Sequence, residues 1–241
     1  MSNNLLIAIP SKGRAGLITS QKIFKSAVLF VPESEVSQYS IYSNEIIPVP
    51  GSVKGITATR NFILKSTDKD VFFVDDDVKS IGYYERTETK KKMIRVTDED
   101  EIIKVIETMF EICYQTNSKI NGFFTTDNAM TNPSFNPFLF NGVCLGSCMG
   151  IVNDGSYYFD EDFEVKEDYE LTLRHLVDRG ISVRSNILFM QHEHTQLKGG
   201  CRDSKRIEKE KSAIKKLIKM YPGMIKLAKH RGTAFSIQLN V

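Results

Sequence analysis

The 241-residue sequence contains no CxxC pair: Cys113, Cys144, Cys148 and Cys201 are scattered, and Cys144 with Cys148 alone does not make a zinc site. Reduced, buried thiols are therefore expected. Long apolar runs are lacking as well. Leu5 to Ile9 is too short for a signal h-region and has no basic flank or small-residue cleavage pattern, and no later segment approaches membrane-spanning length. A cytoplasmic protein without a membrane partner is the expectation. The first strand and loop carry neither GxGxxG nor GxxxxGK[ST], which leaves a dinucleotide fold and a P-loop unsupported. With 41% hydrophobic and 26% charged residues, the composition suits one large α/β domain with a buried core and gives no sign of disorder.

The net charge of +2 conceals an asymmetry. From Lys198 to the end there are 12 Lys and Arg against 3 acids, a balance of +9, leaving 20 against 27, or −7, for residues 1–197. Such polarity suggests a polyanionic partner for the basic tail, although a helix with a solvated lysine face produces the same count.

Val71-Phe72-Phe73-Val74 runs straight into Asp75-Asp76-Asp77. A short β-branched and aromatic run reads as a buried parallel strand, and the C-terminal mouths of such strands carry the chemistry of α/β folds. Alternation on extended backbone predicts Asp75 and Asp77 on one side and Asp76 on the other. Two carboxylates about 4 Å apart repel by roughly 4 kcal/mol at an effective dielectric near 20, so the pair favours a proton or a hard divalent cation, Mg²⁺ or Mn²⁺.

Around this strand the pattern predicts βαβ units and a largely parallel sheet. Leu5–Ile9 reads as a first strand; the loop Pro10-Ser11-Lys12-Gly13-Arg14-Ala15-Gly16 and a helix from Leu17 to Ser26 follow, an arrangement able to face an anion. Strands at 27–31 and 45–49 flank a short helix at 33–39, and a helix at 57–65 presents Arg60 and Asn61 before the acids. An exposed loop or hairpin at 85–98 holds Lys90, Lys91 and Lys92. An amphipathic helix is expected from Asp98 to Asn117, with Ile102, Val105, Ile106, Met109 and Ile112 facing the core. Residues 142–150 read as a buried strand whose glycines admit close backbone approach.

Phe163 to Leu171 opens a helix ending near Arg179, with Gly180 as its stop. Acids in a first turn commonly serve the helix dipole, but Asp168 could act as a base. Strands at 181–184 and 187–191 run into His192-Glu193-His194, where either histidine could complete a metal shell. The loop Lys198-Gly199-Gly200-Cys201-Arg202 is cationic and suited to a diphosphate. A basic amphipathic helix spans 202–221, making 198–241 a helical extension packed on a 1–197 core.

The order of a PSKGRAG loop, a TRN helix, an aspartate triplet ending a buried strand, a KEDYEL helix start and a late HEH resembles glycosyltransferases of the GT-A fold. Among these it is most similar to the phage TET-associated glycosyltransferases that act on hydroxymethylated DNA bases. The resemblance covers roughly residues 5–197. It implies a Rossmann-like three-layer α/β sandwich and an enzyme moving sugar from a UDP-sugar to the hydroxyl of a 5-hydroxymethyl pyrimidine in DNA. Asp75 and Asp77, with His192 or His194, would hold Mn²⁺ or Mg²⁺. Pro10, Ser11, Lys12, Arg14, Arg60, Asn61, Asp75, Asp76 and Lys198 would line the nucleotide-sugar pocket, and Asp168 would be the catalytic base, which implies inversion. Phosphate contacts from Lys90, Lys91, Lys92, Lys205, Arg206 and Lys209 would supply DNA affinity.

Other readings are weighed against it. A haloacid-dehalogenase-type phosphohydrolase also follows an apolar strand with DxD, but on the first strand and with Thr or Val where this chain has Lys79. A sugar nucleotidyltransferase would carry a GxGxR loop. A glycosyltransferase with a polysaccharide or small-molecule acceptor, or a non-catalytic nucleic-acid-binding module, remains as the alternative. No residue pattern distinguishes the donor sugar or the oligomeric state.

Overall fold

The computed structural model describes residues 4–86, 91–125, 136–192, 206–227 and 237–239, with Arg86, Lys91 and 237–239 described by backbone alone. The elements are β1 (Leu5–Pro10), β2 (Val28–Pro32), α1 (Val36–Tyr39), β3 (Ile46–Val49), α2 (Ile56–Lys65), β4 (Asp70–Val74), β5 (Val78–Arg86), β6 (Lys91–Val96), α3 (Glu99–Thr116), β7 (Ile120–Phe124), β8 (Phe138–Leu139), β9 (Cys148–Ile151), α4 (Glu167–Arg179), β10 (Val183–His192), α5 (Arg206–Met220), β11 (Ile225–Leu227) and β12 (Ile237–Leu239).

One mixed sheet dominates, in the order β3-β2-β1-β4-β9-β7-β10-β5-β6, with β8 added beside β10. Its N-terminal half is parallel, β1 pairing with both β2 and β4, and β2 with β3. β9 then runs antiparallel to β4 and β7. Alternation along β1 and β4 divides the core. Ile7, Ile9, Phe72 and Val74 pack beneath α3 with Ile102, Ile106 and Met109, whereas Ala8, Val71 and Phe73 meet Ile63 and Leu64 of α2 and Leu171 of α4. Both sheet faces are covered, as the apolar strands require. The expected three-layer α/β sandwich forms.

α3 shows how local sequence sets an element. Asp98 caps its N-terminus by accepting from the Asp100 backbone N–H at 2.9 Å, three acids occupy the first turn, and Asn117 closes the helix in a left-handed conformation.

Several local expectations change. The helix expected at 17–26 shrinks to a single 3₁₀ turn, Ser20–Lys22. Gly16 has φ 80°, and the Thr19 and Ser20 backbone amides donate to the Asp76 carbonyl at 3.0 and 3.5 Å, so the chain wraps the acidic turn instead of coiling. The buried strand expected at 142–150 begins only at Cys148, and the two closing strands are one strand, β10, with a bulge near its end. In the C-terminal extension, α5 is followed by the antiparallel ribbon β11-β12, so the extension is not helical throughout.

The extension is joined to the core. Ala213, Ile214, Leu217 and Tyr221 pack on Phe163 and Leu173. Beneath them, buried Glu170 accepts from Arg174 Nε at 3.0 Å and from the Tyr221 hydroxyl at 3.1 Å. Among the described residues no helix is long and apolar enough to cross a membrane. Cys113 and Cys144 are buried thiols, and burial raises both, Cys113 to about 12.

Candidate active site

β4 ends at Val74, so the pleat stops governing side-chain direction before the triplet is complete. Asp76 and Asp77 lie in a turn that leads into β5. Asp75 still follows the alternation, onto the α2/α4 side, where Arg60 Nη2 donates to it at 3.2 Å. Asp76 takes the opposite side, accepting from Ser11 Oγ at 2.6 Å and pairing with Arg14. Asp77 does not rejoin Asp75 as the alternation predicts: its carboxylate lies 3.6 Å from the same Arg14 and 3.4 Å from His192 Nδ1. The turn overrides the two-residue period because its backbone is no longer extended.

Burial separates the three acids. The Asp75 side chain is 35% exposed, those of Asp76 and Asp77 only 8% and 9%. Desolvation pushes the Asp76 carboxyl up to about 6, outweighing Ser11 and Arg14, which act the other way. For Arg14 the balance reverses: burial alone would lower it, but the Asp76 carboxylate leaves it above its ordinary value.

Arg60 joins the two halves of the site. Fully buried in α2, with its Cζ 5.8 and 5.5 Å from the centroids of the edge-to-face Phe73 and Phe159 rings, it donates to Asp75, to Glu167 at 2.5 Å and to the Gly146 carbonyl at 2.9 Å. The Gly146 N–H in turn donates to Asp168 Oδ2 at 3.0 Å, while Asp168 Oδ1 accepts from the Tyr169 N–H at 2.8 Å. A Cβ at Gly146 would sit 2.5 Å from Arg60 Nη1, so the close approach expected for this glycine run is required here. Burial, then the Asp168 charge, raise Glu167, with Arg60 opposing them. α4 opens on Lys166 in the left-handed region at φ 64°, a conformation costing about 1–2 kcal/mol, immediately before these two acids.

The remaining expected residues divide. Pro10 ends β1 and Ser11 is buried against Asp76, but Lys12 lies exposed on the loop. Asn61 is turned into structure: its amide closes on both backbone polar groups of Phe159 and on Glu161. Lys92 is exposed on the β5-β6 hairpin, opposite Glu85. Arg206 and Lys209 reach a cleft of about 450 Å³ between the start of α2, residues 161–165 and α5; there Lys209 pairs with Glu164 at 2.8 Å and Arg206 with Glu210 at 3.1 Å. Lys90, His194, Lys198 and Lys205 lie outside the described residues, as does the Lys91 side chain.

Two residues of the site escaped the sequence reading. Tyr39, fully buried, shares a hydrogen bond with Ser11 Oγ and accepts from the Arg14 N–H, both at 3.0 Å, thereby holding the first loop. No local signal marks it. Glu167 was adjacent to a residue already singled out, and its apolar flank Val165 was the available hint of an inward position.

For a divalent cation, the donor chemistry fits. Asp77 and His192 offer a carboxylate oxygen and an imidazole nitrogen 3.4 Å apart, near the roughly 3 Å that separates adjacent ligands on one ion with bonds of about 2.1 Å. Asp75 presents a partly exposed carboxylate just before the turn, on the other side and toward Arg60. Among the described residues no three His, Cys, Asp or Glu side chains already converge as a closed cluster.

The model of the TET-associated glycosyltransferase family matches residues 5–200. Among solved structures, that of S. aureus TarS 1-349 in complex with UDP is similar over 78% of this chain, with 12% identity and a TM-score of 0.48. This chain spans 60% of that one. No curated protein matches the chain.

Proposed function

The chain belongs to the TET-associated glycosyltransferase family, and from that premise we propose that it transfers a sugar from a UDP-sugar to the hydroxyl of a 5-hydroxymethyl pyrimidine in DNA. The observation that carries the reading is the network through Arg60 and Gly146, which ties an acid at the strand mouth to the acid that opens α4. A transfer of this kind needs a donor-binding group and an acceptor-activating group held in fixed relation, and a rigid network provides that preorganisation.

In this reading Asp77 and His192, joined by Asp75 from across the turn, would hold Mn²⁺ or Mg²⁺, which when bound would offset negative charge on the departing diphosphate. Arg14, oriented by Asp76 and by the Tyr39 hydroxyl on its backbone, and Lys12 flank that diphosphate. Asp168 takes the proton of the acceptor hydroxyl. Its two bonds from backbone N–H groups use about half of the acceptor positions of a carboxylate and leave the others for that proton. Attack from the face opposite the leaving group gives inversion. Glu167 positions Arg60 and does not reach the reacting atoms.

A DNA acceptor is extruded from its stack to reach this site. Lys92 on the hairpin, with Arg206 and Lys209 on α5, supplies sequence-independent phosphate contacts that weaken as salt rises.

The test is UDP release in Mn²⁺ with a panel of UDP-sugars, comparing unmodified DNA with DNA containing 5-hydroxymethylcytosine or 5-hydroxymethyluracil. Release that depends on the modified base, with a matching mass gain in the digested nucleoside, supports the reaction. Hydrolysis indifferent to DNA removes the DNA acceptor and favours a polysaccharide or small-molecule one.

A further inference from the structure

Four arginines in the described structure have substantially buried guanidinium groups, and three of them have carboxylate partners. Arg14 pairs with Asp76, Arg60 with Asp75 and Glu167, and Arg174 with Glu170. The acids hold all three above their ordinary values despite burial. Arg184 on β10 differs. Among the described residues it has no ion pair, and desolvation leaves it lowered; its buried Nε lacks a hydrogen-bond partner, as do those of Arg14 and Arg60. A guanidinium stays charged at any working pH, so an uncompensated one costs stability unless something else requires it there.

The surroundings make room for it. Its Cζ lies 5.1 Å from the centroid of the Phe124 ring, a cation–π contact. Gly142 leaves room beside it: a Cβ there would lie 3.1 Å from both Cζ and Nε. The residue as a whole is only partly buried, unlike Arg60 in the core.

Its place in the fold separates it from the diphosphate side. Across the sheet Arg184 is level with Gly122, Met149 and then Phe73 of β4, three strands away and on the order of 14 Å at about 4.8 Å per strand, whereas the far end of β10 brings His192 to Asp77. The chain from Gly142 to Gly146 connects it instead to the Asp168 side, since Gly146 N–H donates to Asp168 and four residues span at most about 14 Å. An arginine beside an aromatic ring is the combination that tracks a single strand, one group for the phosphate and the other for a base face.

We propose that Arg184, backed by Phe124 and admitted by Gly142, binds a backbone phosphate of the acceptor strand next to the nucleotide presented to Asp168. This deepens the acceptor reading above and rests on it. The guanidinium fork supplies two parallel donors to one phosphate, which fixes the strand's register relative to the base.

The test measures anisotropy of a labelled single-stranded oligonucleotide carrying one 5-hydroxymethyl pyrimidine across a salt series. Wild type, Arg184→Gln and Arg184→Lys are compared, with UDP affinity and thermal midpoint measured beside them. Arg184→Gln is expected to weaken oligonucleotide binding about tenfold and to reduce the log–log salt slope by roughly 0.7 to 1. Arg184→Lys should restore the slope but only part of the affinity, because it keeps the charge and loses the fork. UDP affinity should hold, and the thermal midpoint should stay or rise. Unchanged affinity and slope in folded Arg184→Gln overturn the proposal; so does a fall in midpoint accompanied by loss of both ligands, which marks a structural role. If the wild type binds no oligonucleotide, the acceptor reading itself has failed and the strand-phosphate assignment falls with it. Thermal stabilisation by inorganic phosphate, present in wild type and lost in Arg184→Gln, then shows whether a bare anion site survives that failure.

Discussion

Replacing Arg60 by methionine keeps most of the side-chain volume and removes the charge that Glu167, Asp75 and the Gly146 carbonyl all use. Glu167 has 9% of its side chain exposed and Arg60 3%, so the carboxylate is left buried beside Asp168 without its partner. Breaking a buried pair from one side costs about 3–5 kcal/mol. For a chain of this size each kcal/mol lowers the midpoint by about 2–4 °C, so a fall of roughly 6–20 °C is expected. The loss should depend on pH. Glu167 already lies above its ordinary value, and removing Arg60 takes away the influence that opposes this rise. With its folded value raised, the ionised carboxyl costs nothing below its unfolded value near 4.3 and progressively more as pH rises, so the deficit should be smallest in acid and largest near pH 8. Adding Glu167→Leu to Arg60→Met should recover a large part of the stability, since an apolar pair of similar volume often matches a buried ion pair. Urea titrations of wild type, Arg60→Met, Glu167→Leu and the double variant at pH 5 and pH 8 give the complete cycle. A loss below 1 kcal/mol without a pH trend would refute the reasoning.

Other consequences are directly measurable. Asp168→Asn should retain UDP binding and lose turnover, and turnover near the wild-type rate would remove Asp168 as the base. Asp77→Ala should abolish metal-dependent transfer and weaken Mn²⁺ binding measured calorimetrically with UDP; unchanged Mn²⁺ affinity would take Asp77 out of the shell. His175 is fully buried, accepts from the Lys119 N–H at 2.9 Å and is lowered by burial to about 4. Its contribution is present above pH 6.5 and lost as pH falls toward 4, about 3 kcal/mol over that window, and the stability–pH curve of His175→Asn should lack that loss. Tyr221→Phe removes one hydrogen bond to the Glu170 carboxylate, about 1.5–3 kcal/mol, and should make α5 more readily cleaved in limited proteolysis while the core resists; an unchanged digestion pattern would separate α5 docking from that bond.

Much of the fold was readable along the chain because it depends on neighbours. Four apolar residues before three acids set a buried strand and its polar mouth, and a five-residue apolar stripe with Asp98 before it and Asn117 after it set α3 almost to the residue. The family resemblance rested on the same local segments. The turn at Asp76 and Asp77 could not be read that way, because alternation holds only while backbone stays extended and the strand ends at Val74. Nor could the helix that failed to form after Gly16: its amides are committed to the Asp76 carbonyl, 57 residues away for Thr19 in sequence but adjacent once β1 and β4 pair.

Residue type and spacing therefore determined most of the strands and helices, which faces are apolar, and which acids stand at a strand mouth. Only the tertiary structure decided partners. Arg60 meets Glu167 across 107 positions, Ser11 meets Asp76 across 65, and Arg184 has no acidic partner among the described residues. Periodicity and capping act within a few residues of backbone, whereas the pairing of charges follows strand order and layer packing, which bring together side chains whose sequence separation carries no record of their contact.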